Sequence, residues 1–211
     1  GLHRCLGDRG ARRALVMLLH RPALVRSVFD TLALVAHGPA TRILATSDTA
    51  IGIPYDPQQA SRTLDSLGWR RGSDGLRSRG KTPLAFSLMV PSSSASRMKL
   101  AVLLQEQWRK AGANVRIEPL ELNAFGSRMD SRKFESLVNA WHIDPTPSKV
   151  REEWASSEIK KGGYNAASYS SPAFDAVIDS AVKEMNPDRS VALYRRAYRL
   201  LTEDAPAMWL Y

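Results

Sequence analysis

The side chains with chemistry to offer are few: 4 histidines, 1 cysteine and some adjacent carboxylates. The histidines are His3, His20, His37 and His142. His3 and Cys5 form an H-x-C pair, but no second pair follows at the spacing that a metal site needs. Cys5 lies near basic residues that could lower its pKa, yet a lone cysteine near a chain start reads as incidental rather than as a nucleophile. Glu152–Glu153 and Glu203–Asp204 are neighbours in sequence, and neighbours do not face each other on a helix. They read as solvated helix-end charges, not acid/base pairs. The Gly-x-Ser-x-Gly, Walker A and dinucleotide patterns are absent. No enzyme, metal site or cofactor is expected.

One segment stands out: Trp141–His142–Ile143–Asp144–Pro145, at the end of a predicted strand. Loops at the carboxyl ends of strands in α/β domains are where ligands tend to bind. A tryptophan supplies a flat apolar wall, and a carboxylate at a proline-fixed corner could hold a cationic group through charge-assisted hydrogen bonds. The pattern equally fits Trp141 as a core residue and Asp144 as a turn residue before Pro145.

The elements that must carry this segment follow from periodicity and caps. Ala11, Ala14, Leu15, Leu18 and Leu19 fall at helical spacing behind Asp8, and a second short helix is expected from Pro22. Residues 36–56 read as a long ordered loop. Asp56–Pro57 opens a helix that Gly68 ends. A polar, turn-rich excursion from Arg70 to Lys81 leads into a strand at Leu84–Val90. A widely apolar helix over 95–111 and a strand at Val115–Pro119 complete a βαβ unit. Beyond a short helix at 122–129, a third strand is expected over 134–142, with a helical turn or two from Lys149. Helices at 173–185 and 187–203 start at Ser171–Pro172 and Asn186–Pro187, and Ala207–Tyr211 reads as a strand. One sheet flanked by the three long helices is the expected α/β architecture.

The chain's 211 residues, at about 100–200 per domain, make one domain or two small ones. A 44% hydrophobic and 24% charged composition is that of a globular protein. A single cysteine excludes an internal disulfide. The longest apolar run, Ala14 to Leu19, is too short to span a membrane, and no small-residue cleavage site follows it closely. The net charge is +9, and 22 of the 30 basic residues are arginine. Residues 1–133 carry 21 basic against 10 acidic side chains, and residues 134–211 carry 9 against 11. The cations are scattered as singles and pairs, which favours a solvated basic face over a nucleic-acid surface.

In order along the chain, several motifs resemble a known family. Arg12–Arg13–Ala14–Leu15 with His20–Arg21–Pro22–Ala23–Leu24–Val25 resembles "R-R-A-L … D-R-x-A-L-V", and Gly38–Pro39 follows. Tyr55–Asp56–Pro57, Ala60, Leu64 and Gly68–Trp69 resemble "Y-D-P-x-x-A-x-x-L-L-x-x-x-G-W", with Asp74–Gly75 and Gly80–Lys81 after it. Gln105, Gly112 and Val115 resemble "Q-x-x-L-x-x-x-G-I-x-V". Trp141 and Asp144 match "W-x-x-D". Asn165, Tyr169, Pro172 and Phe174–Asp175 match "N-x-x-x-Y-x-x-P-x-F-D", and Leu193–Tyr194 and Ala205–Pro206 match "L-Y … A-P". The set resembles the C-terminal half of the dipeptide, oligopeptide and nickel family of solute-binding proteins of ABC importers.

That resemblance implies a periplasmic-binding-protein type II-like fold in which two hinged lobes clamp a ligand. Residues 1–211 would be the second, C-terminal lobe, without the first lobe or a signal peptide. It implies an extracytoplasmic protein that is no enzyme and needs no cofactor. Its partners would be the first lobe, an ABC permease and a small peptide-like solute, with no nucleic acid. It points to Asp144 as the acceptor of a peptide's α-amino group and Trp141 as the wall of a side-chain pocket. His142 would lie beside them, and Tyr169 nearby. Val138 stands where some members carry an arginine for a peptide carboxylate, and His20 replaces the usual aspartate. A lobe reused as a structural or protein-interaction module, its cleft face docking another protein, is the alternative.

Overall fold

The structure is a computed structural model that describes residues 5–141, 146–160 and 162–211. It divides into two compact units. The first comprises Gly1–Leu34, Ile53–Met129 and Lys133–Ala140, and the second Val35–Gly52, Asp130–Arg132 and Trp141–Tyr211.

The first unit is built on local signals. α1 (Arg9–Met17) starts where Asp8 accepts the Ala11 N–H at 3.1 Å. α2 (Arg21–Phe29) is capped by His20, whose Nδ1 accepts the Ala23 N–H at 3.1 Å, so this imidazole does the work of an aspartate cap. α3 (Pro57–Ser66) is capped by Asp56. The excursion after Trp69 is an antiparallel meander of β1 (Arg70–Arg71), β2 (Arg77–Arg79) and β3 (Thr82–Pro83). β4 (Ala85–Pro91), α4 (Ala95–Lys110) and β5 (Asn114–Leu120) form the expected parallel βαβ unit, with Leu88 opposite Ile117. β4 is buried along nearly its whole length because it is the middle strand of the order β5-β4-β6. Parallel and antiparallel pairing thus both occur, in separate sheets.

α4 buries one stripe, Leu100, Ala101, Leu104 and Trp108, rather than the wide arc expected, and Val102 is half-exposed. The Trp108 indole donates to the Leu15 carbonyl at 2.9 Å and meets Phe86 edge-on, which fastens α4 to α1 and to the sheet.

After α5 (Leu122–Asp130), the third strand is much shorter than expected. β6 is only Ser136–Leu137, parallel to β4, with the Val138 N–H donating to Met89 O at 2.9 Å. At the N-terminal side of β6, Glu135 bounds the ladder. Its carboxylate accepts both the backbone N–H and the hydroxyl of Ser87, taking the place of a ladder bond on β4.

The second unit is helical among its described residues. It contains α6 (Lys149–Trp154), a single 3-10 turn (Ser156–Glu158), α7 (Pro172–Lys183) and α8 (Pro187–Asp204). α7 and α8 pack on each other, and among the described residues their unit carries no strand for them to flank. Their inner faces (Phe174, Ile178, Ala197, Tyr198 and Leu201) form a core with Val150, Trp154 and Tyr169. The expected strand over 207–211 is absent. Ala205 turns the chain in the left-handed region, and Ala207 and Trp209 pack against this core. The Leu210 carbonyl accepts the Ala36 N–H, a single bond and not a ladder.

Candidate ligand-binding site

Of the residues expected to meet a ligand, Trp141 and Tyr169 are described; His142 and Asp144 lie outside the described residues. Both described residues belong to the second unit. Trp141 follows Ala140 in irregular backbone and is 49% exposed. A half-exposed indole is the form that a ligand-facing wall requires, not that of a core tryptophan.

Tyr169 is placed differently. Its ring is buried, edge-on to Trp154 and Phe174, and its hydroxyl donates to Asp204 Oδ2 at 2.7 Å. Burial first, then the bond to Asp204, holds that hydroxyl protonated far into the alkaline range. The backbone around it is fixed by Asn165, which is fully buried. The Asn165 amide donates to the carbonyls of Trp154, Ala155 and Tyr169, and its oxygen accepts the Tyr169 N–H. The Asn-x-x-x-Tyr spacing is therefore a self-bonded loop that pins residues 165–169 to the end of α6.

The long loop contributes to the same core. Ala40 and Ile51 are buried in it, and Leu44 packs at its edge. Arg195 donates to Ala45 O and Arg199 to Asp48, so α8 holds the loop by two arginines.

Between loop and helices lies a shallow crevice with room for little more than one water molecule. Pro39, Leu44, Thr146, Lys149, Glu153 and Tyr198 are among the residues that line it. Burial pushes the Glu153 carboxyl upward, opposed by Lys149, and pushes the Tyr198 hydroxyl up to about 12. Lys149 is paired with Glu152 and lies over the Tyr164 ring. The crevice is a mixed polar and apolar seam between the loop and the helices, too small for a ligand group.

Sequence reasoning missed Glu153 and Tyr198. Glu153 was grouped with Glu152 as solvated, yet Glu152 is exposed and Glu153 is half-buried beside the crevice. Helical phase was the available signal, because adjacent positions point about 100° apart. Glu203 and Asp204 divide in the same way: Glu203 is exposed and Asp204 receives Tyr169. Among the described residues no group of three or more His, Cys, Asp or Glu is placed to hold a metal. No helix among them is long and apolar enough to cross a membrane.

Residues 3–162 match the family described as bacterial extracellular solute-binding proteins, family 5, middle region. The chain belongs to this family. It is 29% identical over 198 residues to Protein XP55 of Streptomyces lividans, covering 94% of this chain and 36% of that protein. It is 27% identical to the oligopeptide-binding protein AppA of Bacillus subtilis, covering 97% of this chain and 38% of AppA.

The solved structure of Bacillus subtilis AppA in complex with a nonapeptide superposes with a TM-score of 0.92, at 26% identity, over 99% of this chain and 42% of that one. NikZ from Campylobacter jejuni, in complex with Ni(L-His), superposes with a TM-score of 0.89 at 25% identity, over 99% of this chain and 42% of that one. The fold is thus the periplasmic-binding-protein type II-like fold. The chain spans 36 to 38% of the length of the two curated relatives.

Proposed function

We propose that this chain is the second lobe of an extracytoplasmic solute-binding protein that captures a peptide or similar small solute for an ABC importer. It acts by binding and release, without catalysis. The observation that carries the reading is the match of nearly the whole chain to the AppA fold, which was solved around a nonapeptide. The half-exposed Trp141 supports it, standing three residues before the only carboxylate of the 139–148 segment, Asp144. In this reading Trp141 is the apolar wall, Asp144 accepts the amino group of the solute and His142 lies beside them. Tyr169 acts from behind, through the loop that it anchors. Most of the ligand's surface is enclosed only when a first lobe closes on this one, so a single lobe binds weakly.

The test uses the complete two-lobed protein. Asp144→Asn is expected to weaken an amino-bearing peptide by about 1.5–3 kcal/mol, the scale of a hydrogen bond to a charged group. The same peptide with its amino group acetylated should lose little further affinity. Titration calorimetry that finds equal affinity in both proteins removes Asp144 from the site. A complete protein that binds no peptide from a length-graded set removes the peptide reading.

A further inference from the structure

The charge of this chain is divided by unit. The stretches that form the first unit carry 19 basic against 9 acidic residues, +10, and those of the second 11 against 12. Within the first unit, exposed cations gather where the β1–β3 meander meets the carboxyl end of α4. Arg70, Arg71, Arg79 and Lys81 lie on the meander, with Arg109 and Lys110 at the helix end, and all six are exposed. The two elements are tied together: the Arg71 guanidinium donates to the Lys110 carbonyl, and the Arg77 N–H to the Gly112 carbonyl at 2.7 Å.

The acids of this region are engaged within it. Asp65 is held by the buried Arg77, Glu106 by Lys110, and Asp74 accepts the Leu76 N–H of its own turn. Only the last of these leaves a carboxylate unopposed by a cation, so the face is strongly positive. The cations are offered as points on separate elements, with Trp69 fully buried beneath Arg79. A base-stacking platform needs exposed aromatics among its cations, and the meander strands carry none. Guanidinium forks on a small sheet suit phosphate headgroups arrayed in a plane.

We propose that this basic face docks on an anionic phospholipid surface. The inference is independent of the solute-binding reading, since none of its residues belongs to that site. The chain carrying R70E, K81E and R109E, and one carrying K183E, R189E and R196E in the second unit, undergo the same change of net charge. Each is mixed with vesicles of phosphatidylcholine alone or with a third of phosphatidylglycerol, and sedimented.

The unaltered chain and the second-unit variant are expected to bind the anionic vesicles alike, and neither to bind the zwitterionic ones. The meander variant should lose about 10-fold or more in partitioning. Binding should fall steeply between about 0.05 and about 0.5 M salt. Neutral R70Q, K81Q and R109Q replacements, checked by circular dichroism, should fall between. Equal loss in both charge-reversed variants makes the effect one of net charge and overturns the proposal. So does binding to a short DNA duplex with none to the vesicles.

Discussion

Arg77 is 5% exposed in its side chain and reaches Asp65 at 2.7 Å, while Asp65 itself is 40% exposed. The pair is lopsided, because the guanidinium also donates to the Trp69 carbonyl at 2.7 Å, the Ala111 carbonyl at 3.0 Å and the Ser61 hydroxyl at 2.6 Å. One arginine thereby joins α3, the meander and the end of α4. Its stabilisation comes mainly from the two backbone carbonyls it bonds and only partly from the ion pair.

Removing the two partners should therefore have unequal effects. Arg77→Met takes the donor from those two carbonyls and is expected to cost about 2–4 kcal/mol. Asp65→Asn weakens a half-solvated pair and is expected to cost about 1 kcal/mol or less. Urea unfolding measures both. Equal losses would mean that the ion pair dominates.

Gly112 sits at φ +93, and a Cβ there would lie 2.9 Å from both the Gly75 carbonyl oxygen and Arg77 Cγ. Gly112→Ala combines left-handed strain with a backbone clash and should cost about 2–3 kcal/mol. Gly75, at φ +78 with nothing within 4 Å of its Cβ position, meets only the first of these. Gly75→Ala should cost about 1 kcal/mol. The difference in unfolding midpoint separates close approach from conformation.

Asn165 is the polar centre of the second unit. Asn165→Ala leaves the Trp154 and Tyr169 carbonyls and the Tyr169 N–H without it, while Ala155 O keeps the Glu158 N–H, for an expected loss of about 2–3 kcal/mol. Asn165→Asp places a carboxylate against three carbonyls and should be worse at neutral pH. That excess should shrink as pH falls and the new carboxyl protonates, since only the protonated form can donate. Thermal unfolding at two pH values decides it. A pH-independent difference would show that charge is not the cause.

Alkaline pH should weaken the fold before any acid-side effect of these groups. Burial pushes the Cys5 thiol up to about 11 and the Tyr198 hydroxyl up to about 12. The unfolded chain releases these protons nearer the ordinary 9.0 and 10.0, so the folded state binds more protons across this window. Their contribution is full below pH 9.0 and is lost as pH rises through about 11 and 12. Cys5→Ala should flatten the first part of that decline, read from urea midpoints against pH. Alkylation of the native thiol should be slow at neutral pH and fast in denaturant.

The sequence by itself determined what depends on near neighbours. The caps at Asp8, Asp56, Ser94, Ser171 and Asn186 act three residues ahead, on N–H groups of the same turn, so the helix starts were legible. The glycine stop at Gly68 was legible for the same reason, and it lies at positive φ. The parallel βαβ unit followed from the order of its elements. The family resemblance rested on such local motifs strung in sequence order.

Tertiary structure decided the rest, because the groups concerned are far apart in the chain. Glu135 bounds the start of β6 by bonding Ser87, 48 residues away, which no period in residues 134–142 could signal. Residues 207–211 have the alternation of a strand, but Trp209 meets Trp154 and the segment packs instead of pairing. By family resemblance Tyr169 reads as a neighbour of the ligand site, and only the fold brings Asp204, 35 residues on, to take its hydroxyl. Arg77 is one arginine among many in a basic excursion, and only the convergence of α3 and α4 on β2 makes it a buried one. A buried polar group needs a partner with the right geometry, and that partner exists only once the chain has closed on itself.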